Sequence, residues 1–84
     1  MKIHIEPQAM TWSDAKSFAT YKGGRLPSPR ELQQMSKSRA LTVDIWANEE
    51  NQDAPESAKY WSRKFQAIMG KEKDKLCLVV YVTN

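Results

Sequence analysis

The segment GGRLPSPREL, residues 23–32, constrains the fold more than any other part of this 84-residue chain. Gly23 and Gly24 follow a helical pattern, and glycine readily takes the left-handed conformation that ends a helix. Ser28 and Glu31 have the spacing of a capping box, with a proline between them at the first helical position. The segment therefore predicts the end of one helix, a short connection and the start of a second helix.

The two predicted helices each carry an apolar stripe. The first covers residues 11–22, with Thr11 as its N-cap and Asp14 as an acidic third residue. Its inward positions at helical spacing are Trp12, Ala15, Phe18 and Ala19. The second helix faces inward with Leu32 and Met35.

Three segments are predicted to be strands. Residues 2–6 alternate, with Ile3 and Ile5 on the inward face, and the following proline ends the strand. Residues 60–69 and 75–83 are predicted to be two strands joined by the hairpin connection GKEKD. The last strand is almost entirely apolar, as expected of a central strand that is covered on both faces.

Residues 47–58, with the sequence ANEENQDAPESA, are polar, acidic and without periodicity. They are predicted to form the longest loop of the molecule. Together, the helices and strands predict an α+β fold in which two helices pack on a small, mostly antiparallel sheet.

Length and composition indicate one domain over residues 1–84, with one modest core. The chain is 40% hydrophobic and 27% charged, with a formal net charge of +3, which is ordinary for a soluble globular protein. Its one cysteine, Cys77, leaves no intramolecular disulfide. Residues 1–10 carry no apolar run of signal-peptide length, and no stretch approaches a transmembrane span. We therefore expect a cytoplasmic protein with no membrane partner.

The order of these segments resembles the bacterial C-type-lectin-like domains related to formylglycine-generating enzyme, and the small stand-alone lectin-like modules of bacteria and phages. The resemblance rests on TWSDAKSFA (11–19), GGRLPSPREL (23–32), the Ile-Trp pair at 45–46 and YWS at 60–62, and it spans residues 10–82. It implies a lectin-like domain whose N-terminal and C-terminal strands lie side by side.

The sequence departs from that family where the family's chemistry resides. The calcium-dependent sugar binders use Glu-Pro-Asn or Gln-Pro-Asp together with Trp-Asn-Asp, and neither set is present. The sulfatase-modifying enzymes use a cysteine pair, and this chain has one cysteine. The resemblance therefore implies the scaffold without its sugar site or its enzyme activity. We expect a non-enzymatic module with no metal and no cofactor.

Three residues have the chemistry for a functional role, and each has a structural alternative. Arg25 is suited either to an acidic ligand or to holding the turn between the helices. His4 is the sole imidazole, but no partner for a catalytic histidine is recognisable, so a surface position is predicted. Cys77 lies in an apolar strand and is predicted to be a small core side chain. No catalytic residue is predicted. The predicted structural turn consists of Gly23, Gly24, Arg25, Pro27, Ser28 and Glu31.

Acidic side chains of the loop region are the best candidates for a metal site or a binding face. They are Asp44, Glu49, Glu50, Asp53 and Glu56. Calcium prefers such oxygen ligands, but the spacing fits no EF-hand and no glycine provides its sharp turn. We expect either a solvated loop without metal or a loop that presents its carboxylates to a basic partner.

Basic residues gather in two other stretches, 16–39 and 59–75, close to Tyr21, Tyr60 and Trp61. Single-stranded nucleic acid binds to such combinations, because bases stack on aromatic side chains above a cationic groove. Lysine and arginine at helix ends and in turns also keep a protein in solution. Nucleic acid is therefore the alternative partner.

So small a core is expected to leave one of its three indoles partly exposed. Trp46 is predicted to be that residue because it leads into the acidic loop, and interface hot spots are enriched in tryptophan, tyrosine and arginine. We predict a protein-binding face formed by Trp46, Glu49, Glu50, Asp53, Tyr60 and Arg63. A module of this kind would suit a phage or mobile element that blocks a host factor.

Overall fold

A computed structural model describes residues 2–84, which form two helices and five strands. The strands are β1 (Lys2–Met10), β2 (Ile45–Glu50), β3 (Ser57–Ser62), β4 (Ala67–Glu72) and β5 (Cys77–Thr83), and the helices are α1 (Trp12–Tyr21) and α2 (Pro29–Ser38). One sheet contains the strands in the order β1-β5-β2-β3-β4. Its pairs are antiparallel except that of β2 with β5. The predicted α+β class is confirmed, and so is the pairing of the first and last strands.

Both helices begin as predicted. The hydroxyl of Thr11 accepts a hydrogen bond from the N–H of Asp14 at 3.4 Å. The hydroxyl of Ser28 accepts from the N–H of Glu31 at 3.1 Å, and the Glu31 carboxylate accepts from the N–H of Ser28 at 2.8 Å. This second arrangement is a complete capping box, which contributes about 1 kcal/mol to the stability of a helix.

The end of α1 also follows the prediction. Gly23 has a φ of 79°, and its N–H donates to the carbonyl of Thr20 at 3.0 Å. The N–H of Gly24 donates to the carbonyl of Ala19 at 2.8 Å. These two bonds form the Schellman motif, which satisfies carbonyl groups that the last helical turn leaves without partners.

The two helices cover opposite faces of the sheet. Side chains alternate along a strand, so consecutive residues of β5 point to opposite faces. Val79 belongs to the same core cluster as Trp12 of α1. Val80 belongs to the cluster that contains Leu32 and Met35 of α2. The core therefore consists of two thin layers. Each fully buried valine or leucine side chain in them contributes about 2 kcal/mol to the free energy of unfolding.

Between the helices the chain passes from one face to the other, and it does so between β5 and β2. These strands pair with each other at one position only. Further along, Arg25 and Val82 exchange two backbone hydrogen bonds, of 3.0 and 2.8 Å. The carbonyl of Pro27 accepts from the N–H of Asn48 at 2.8 Å. Residues 25–27 thus fill the gap between the two strands and satisfy their backbone groups.

Gly24 lies where this crossing is tightest. A Cβ atom at this position would overlap the carbonyl oxygen of Val82 and would lie 2.9 Å from Cγ2 of Thr83. A Cβ atom at Gly23 would meet no atom within 4 Å, so Gly23 is required for its φ and not for room. The two adjacent glycines therefore serve different purposes.

β1 is longer than the predicted strand at 2–6. Pro7 lies in an irregularity of the ladder between Glu6 and Ala9, after which β1 pairs with β5 again. Proline is tolerated on edge strands and in bulges, because a backbone position there needs no hydrogen-bond partner. The proline interrupts the ladder without ending the strand.

The prediction that Ile3 and Ile5 face the core is wrong. Their residues are 37% and 58% exposed, whereas His4 between them is half-buried. His4 stacks on Tyr81 with ring centroids 4.7 Å apart, and its Nε2 lies 3.0 Å from Oγ1 of Thr83. The reason is that α2 packs on β2, β3 and β4, so the apolar side of β1 lies beyond the helix.

The predicted long loop at 47–58 is confined to residues 51–56. β2 continues to Glu50 and β3 begins at Ser57. Polar residues occupy the last positions of β2 because this end of the strand is at the surface. The polar composition of residues 48–50 therefore reflects their exposure, and it does not mean that they lie outside a strand.

The prediction of a single strand at 60–69 is also wrong, because β3 and β4 form a hairpin closed by the turn at 63–66. The carbonyl of Ser62 accepts from the N–H of Gln66 at 2.8 Å, and its hydroxyl accepts from the N–H of Phe65 at 3.2 Å. Gln66 takes a φ of 51°, a conformation that glycine or asparagine usually supplies. The turn therefore lacks the residue type that normally marks it.

The hairpin predicted at GKEKD does not form. β4 continues to Glu72, and β5 pairs with β1 and β2 instead of β4. β5 lies between two strands, and Val79, Val80 and Val82 are buried. The prediction of a central last strand is thus confirmed, while its predicted neighbour is not.

Replacement of each glycine by alanine separates their two roles. Gly24→Ala must displace the backbone of β5, so we expect it to lower the free energy of unfolding by about 2–3 kcal/mol. Gly23→Ala meets open space but keeps a left-handed φ, and we expect a loss of about 1 kcal/mol. Urea unfolding followed by circular dichroism measures both. A loss for Gly23→Ala that equals or exceeds the loss for Gly24→Ala would contradict the tight crossing.

Candidate functional site

Arg25, in the turn between the helices, is engaged within the protein. Its Nη1 and Nη2 donate to the two carboxylate oxygens of Glu31 at 2.7 and 2.9 Å. Nη1 also donates to the carbonyl of Leu26 at 3.2 Å. The planar guanidinium group matches a carboxylate in this two-bond geometry. Of the two roles that the sequence left open, holding the turn is the one that these contacts serve.

Glu31 connects the start of α2 to the chain crossing. The hydrogen bonds from Arg25, opposed by partial burial and aided by the N–H of Ser28, lower the pKa of Glu31 from 4.5 to about 2. The hydrogen bond with Glu31 also raises the pKa of Arg25. One carboxylate therefore completes the capping box and holds the arginine that bonds to β5.

A shallow groove of about 610 Å³ lies beside α2. It is lined by Arg25, Ser28, Arg30, Glu31, Gln34, Met35, Ser38 and Asn48. Because Arg25 and Glu31 neutralise each other, the groove offers mainly uncharged hydrogen-bonding groups besides Arg30. It contains none of the six residues predicted to bind a partner.

Trp46, the predicted exposed anchor, is 0% exposed, so its predicted role is wrong. Its Nε1 donates to the carbonyl of Met10 at 2.8 Å, and its ring meets Tyr60 edge-on with centroids 6.3 Å apart. Trp12 and Trp61 are buried as well, in the clusters on opposite faces of the sheet. The protein can bury three indoles because they are divided between the two core layers, two in one layer and one in the other.

Glu49 and Glu50 are consecutive in β2, and their carboxylates pair with lysines of different segments. Glu49 lies 3.5 Å from Nζ of Lys59 in β3, and Glu50 lies 3.0 Å from Nζ of Lys73. Lys73 also lies over the ring of Trp12, 4.8 Å from its centroid. Such exposed pairs add little stability, but each neutralises a negative charge. Both glutamates border one shallow depression beside Trp12, but neither presents an unpaired negative charge there.

Asp53 lies at the surface of the short loop between β2 and β3. Its N–H donates to Oδ1 of Asn51 at 3.4 Å, and the carbonyl of Asn51 accepts from the N–H of Ala54 at 3.1 Å. Among residues 2–84 its carboxylate forms no ion pair. The predicted roles of Asp53, Glu49 and Glu50 in binding stay predictions.

Tyr60 and Arg63 belong to the β3–β4 hairpin. Tyr60 is half-buried, stands opposite Met69 in the ladder, and has the ammonium group of Lys71 4.4 Å from its ring centroid. Arg63 is exposed, and its N–H donates to Oδ1 of Asp44 at 2.9 Å. The structure therefore brings these two predicted residues onto one element, separate from the acidic loop.

The same hairpin exposes two large side chains that the sequence did not single out. Phe65 is 59% exposed and Met69 is 39% exposed. Nζ of Lys64 lies 5.4 Å from the centroid of the Phe65 ring. We call Tyr60, Arg63, Lys64, Phe65 and Met69 the hairpin surface. The available signal was the Arg63–Lys64 pair, two adjacent charges in the middle of what was predicted to be one strand.

Hydrogen bonds from outside the hairpin hold its turn in place. The carboxylate of Asp44 accepts from the N–H of Arg63 and, at 3.2 Å, from Nζ of Lys71. The side chain of Gln66 donates to the carbonyl of Leu41 at 3.4 Å and to that of Arg63 at 2.8 Å. The turn that carries Phe65 is thus hydrogen-bonded to the segment before β2, at Leu41 and Asp44.

Cys77 is a core side chain, as predicted. It is buried, and burial raises the pKa of its thiol to about 11. Because the thiolate is the nucleophilic form of cysteine, this environment suppresses its reactivity at neutral pH. The stacking of His4 on Tyr81 and its contact with Thr83 likewise give the imidazole a structural role.

Within residues 2–84, no three side chains of His, Cys, Asp or Glu are arranged to hold a metal ion. No helix in that range has the length and apolar character needed to span a membrane. No family model matches the chain, and no curated protein matches it.

Acid unfolding tests the Arg25–Glu31 pair. Because the pKa of Glu31 is lowered in the folded state, its contribution is complete above the ordinary value of 4.5 and is lost as the pH falls towards about 2. Glu31→Gln keeps an acceptor for Ser28 but does not titrate. We expect this variant to lose about 1 kcal/mol at neutral pH, after allowance for the exposure of Arg25, and progressively less in acid.

Urea unfolding at neutral pH, at intermediate acidity and near pH 2 measures this difference. Glu72→Gln, which changes an exposed acid at the end of β4, is the matched control and should have little effect at any pH. A loss for Glu31→Gln that is the same at all pH values would show that the ion pair does not contribute.

Proposed function

We propose that this chain is a small non-enzymatic binding module that holds a protein partner through the hairpin surface. The observation that carries the proposal is the exposed Phe65, on the same hairpin as Met69 and beside the cationic Arg63 and Lys64. Aromatic residues, methionine and arginine are the residue types enriched in protein interfaces, and lysine is not. The hairpin surface therefore combines exposed apolar side chains with two basic ones, Arg63 and Lys64, which we call its basic margin.

Rigidity supports the choice of this surface. Asp44 and Gln66 hold the turn through the hydrogen bonds described above, and the β3–β4 ladder is regular from Ser57 to Ser62. A contact surface that is ordered before binding loses less conformational entropy when a partner arrives. Exposed side chains on such a support are suited to act as anchors.

The charge of the hairpin surface favours an acidic partner. Arg63 and Lys64 form no ion pair within residues 2–84, whereas Glu49 and Glu50 are each neutralised by a lysine. Complementary charge steers association and fixes orientation. The proposal therefore keeps Tyr60 and Arg63 from the predicted binding face and replaces its acidic part with a basic one.

Binding is proposed in preference to catalysis because the groups with catalytic potential have structural partners. The His4 ring is stacked, the Cys77 thiol is buried with a raised pKa, and Asp44 is occupied by Lys71 and the backbone of Arg63. Perturbed titratable groups at functional sites usually lie in a cleft, where a substrate reaches them. Here the two most perturbed groups are Glu31 and Cys77. Glu31 lines the groove beside α2, but Arg25 and the N–H of Ser28 occupy its carboxylate, and Cys77 is in the core.

We also propose that the scaffold is a lectin-like domain reduced to its frame. The turn at residues 23–27 belongs to the segments that carry the resemblance, and the pairing of β1 with β5 is what the resemblance implies, so both support this relation. A rigid sheet with loops at its ends is a common support for binding residues. By analogy with small lectin-like proteins, we propose a phage or mobile-element module that blocks a cytoplasmic host factor.

Site-specific photocrosslinking tests the hairpin surface directly. The photoreactive residue p-benzoylphenylalanine replaces Phe65 in one variant and Tyr21 in a second. Tyr21 is a matched control because it is an aromatic residue, 83% exposed, on α1. After irradiation in a bacterial lysate, we expect a discrete adduct with one protein from position 65 and none from position 21.

Charge reversal then identifies the face. Arg63→Glu combined with Lys64→Glu should abolish the adduct, because it reverses the basic margin. The triple variant Glu49→Lys, Glu50→Lys and Asp53→Lys should retain it. Adducts of equal yield from both positions, or an adduct that only the triple variant abolishes, would place the partner elsewhere and refute this proposal.

Single-stranded nucleic acid is the second candidate, because two cations without ion pairs flank the exposed Phe65. Lysines already lie over the rings of Tyr60, Phe65 and Trp12, and they compete with bases for these faces. We therefore expect no saturable binding of a single-stranded oligonucleotide in fluorescence anisotropy at low salt. Binding that weakens steeply with added salt would favour nucleic acid instead.

A further inference from the structure

Within residues 2–84, β1 is at one edge of the sheet and has β5 as its only strand neighbour. Along its outer side, alternate N–H and C=O groups therefore have no partner within the sheet. Ile3 and Ile5 are exposed next to this edge, on the face opposite His4. An accessible edge with apolar side chains is a template for a further strand.

The sequence of this edge, KIHIE, is symmetric in character about His4. When two copies of the segment run antiparallel with His4 opposite its counterpart, Ile3 of one copy faces Ile5 of the other. Lys2 of one copy then faces Glu6 of the other, and both pairs occur twice. Cross-strand pairs of apolar residues or of opposite charges each contribute about 0.2–1 kcal/mol.

This register satisfies the geometry of an antiparallel ladder. Residues opposite each other must both direct their backbone groups to the partner strand, or both away from it. Alternate residues of a strand direct those groups the same way, and pairing about His4 joins even-numbered residues to even and odd to odd. The β1–β5 ladder is regular from Lys2 to Glu6, and Pro7, which lacks an N–H, limits the edge to these five residues.

We propose that β1 pairs antiparallel with β1 of a second copy of this chain, about a two-fold axis at His4. The two five-stranded sheets then form one continuous sheet. The contact is isologous, since the same residues of both copies take part. Lys2, His4 and Glu6 lie on the face that α1 covers elsewhere, while Ile3 and Ile5 of the two copies cover one another on the opposite face.

Charge complementarity selects a second copy over other occupants of an edge. At the other edge, β4 has the sequence AIMGKE, which lacks this symmetry, and its Lys71 is already held by Asp44. At β1 no acid or base of another segment pairs with Lys2 or Glu6 within residues 2–84. The charges at the two ends of KIHIE are therefore available to each other across the axis.

The proposed dimer is weak. Five residues on each side bury less than the roughly 1,200 Å² at the low end of stable interfaces. The dissociation constant is therefore on the order of micromolar or higher. The monomer and the dimer exchange, and concentration decides which one predominates.

Sedimentation velocity of the full chain, from micromolar to millimolar concentration, measures the equilibrium. We expect a monomer that converts to a dimer as concentration rises. Lys2→Glu alone, or Glu6→Lys alone, places like charges opposite each other at two symmetric positions. Each should raise the dissociation constant about tenfold at low salt. The double variant restores opposite charges and should return the constant to within about twofold of the original.

Matched controls change the same charges away from β1. Lys37→Glu on α2 and Glu72→Lys on β4 should leave the dissociation constant unchanged. Ile5→Lys should abolish the dimer, whereas Leu76→Lys, at a residue that is 61% exposed outside the strands, should not. Circular dichroism verifies that each variant is folded, and Lys2→Glu decides the test if a change at Ile5 unfolds the protein.

The proposal is overturned if the chain stays monomeric at every concentration, or if the double charge exchange fails to restore what the single changes remove. It is also overturned if the controls weaken association as much as the β1 variants. The β1 variants should leave crosslinking at position 65 unaffected, so the failure of this proposal is distinguishable from the failure of the hairpin surface.

Discussion

The chain between the two helices passes through the plane of the sheet, held by the backbone bonds of Arg25 to β5 and of Pro27 to β2. Because α1 and α2 are on opposite faces, every element after residue 28 depends on this passage. It needs a residue without a side chain where the chain meets β5, and Gly24 provides it. It also needs a fixed exit direction, which the pair of Arg25 with Glu31 and the capping box provide.

One helix on each face divides a small core into two thin layers. This division explains why Trp12, Trp46 and Trp61 are all buried in a chain of only 84 residues. It also determines what stays uncovered. α1 packs on β5 and β2, and α2 packs on β2, β3 and β4. Each helix therefore leaves one edge of its own face uncovered, and Ile3 and Ile5 at β1 and Met69 at β4 stay exposed. The two surfaces for which we propose partners have this common cause, because two short helices cannot cover both faces of a five-stranded sheet.

Local signals in the sequence predicted the helix boundaries, because caps depend on neighbouring residues. The glycine pair, the capping box and the fold class were therefore predictable. The exposure of Ile3 and Ile5 was not, since alternation defines two faces without saying which one a helix covers. The burial of Trp46 depends on β1, whose Met10 carbonyl accepts from the indole. The turn at Gln66 lacks the glycine that usually marks such a turn, so the hairpin that exposes Phe65 could not be predicted.

Amide hydrogen exchange tests the passage through the sheet most directly. The N–H groups of Arg25, Val82 and Asn48 form its hydrogen bonds, at 3.0, 2.8 and 2.8 Å. We expect all three amides to exchange as slowly as the central residues of β5, because they open only when the whole domain unfolds. If the amides of Arg25 and Asn48 exchanged as fast as those of the exposed loop at 51–56, the passage of the chain through the sheet would be contradicted. The segment would then be a surface connection, and the sheet would have to be held together by its other strands alone.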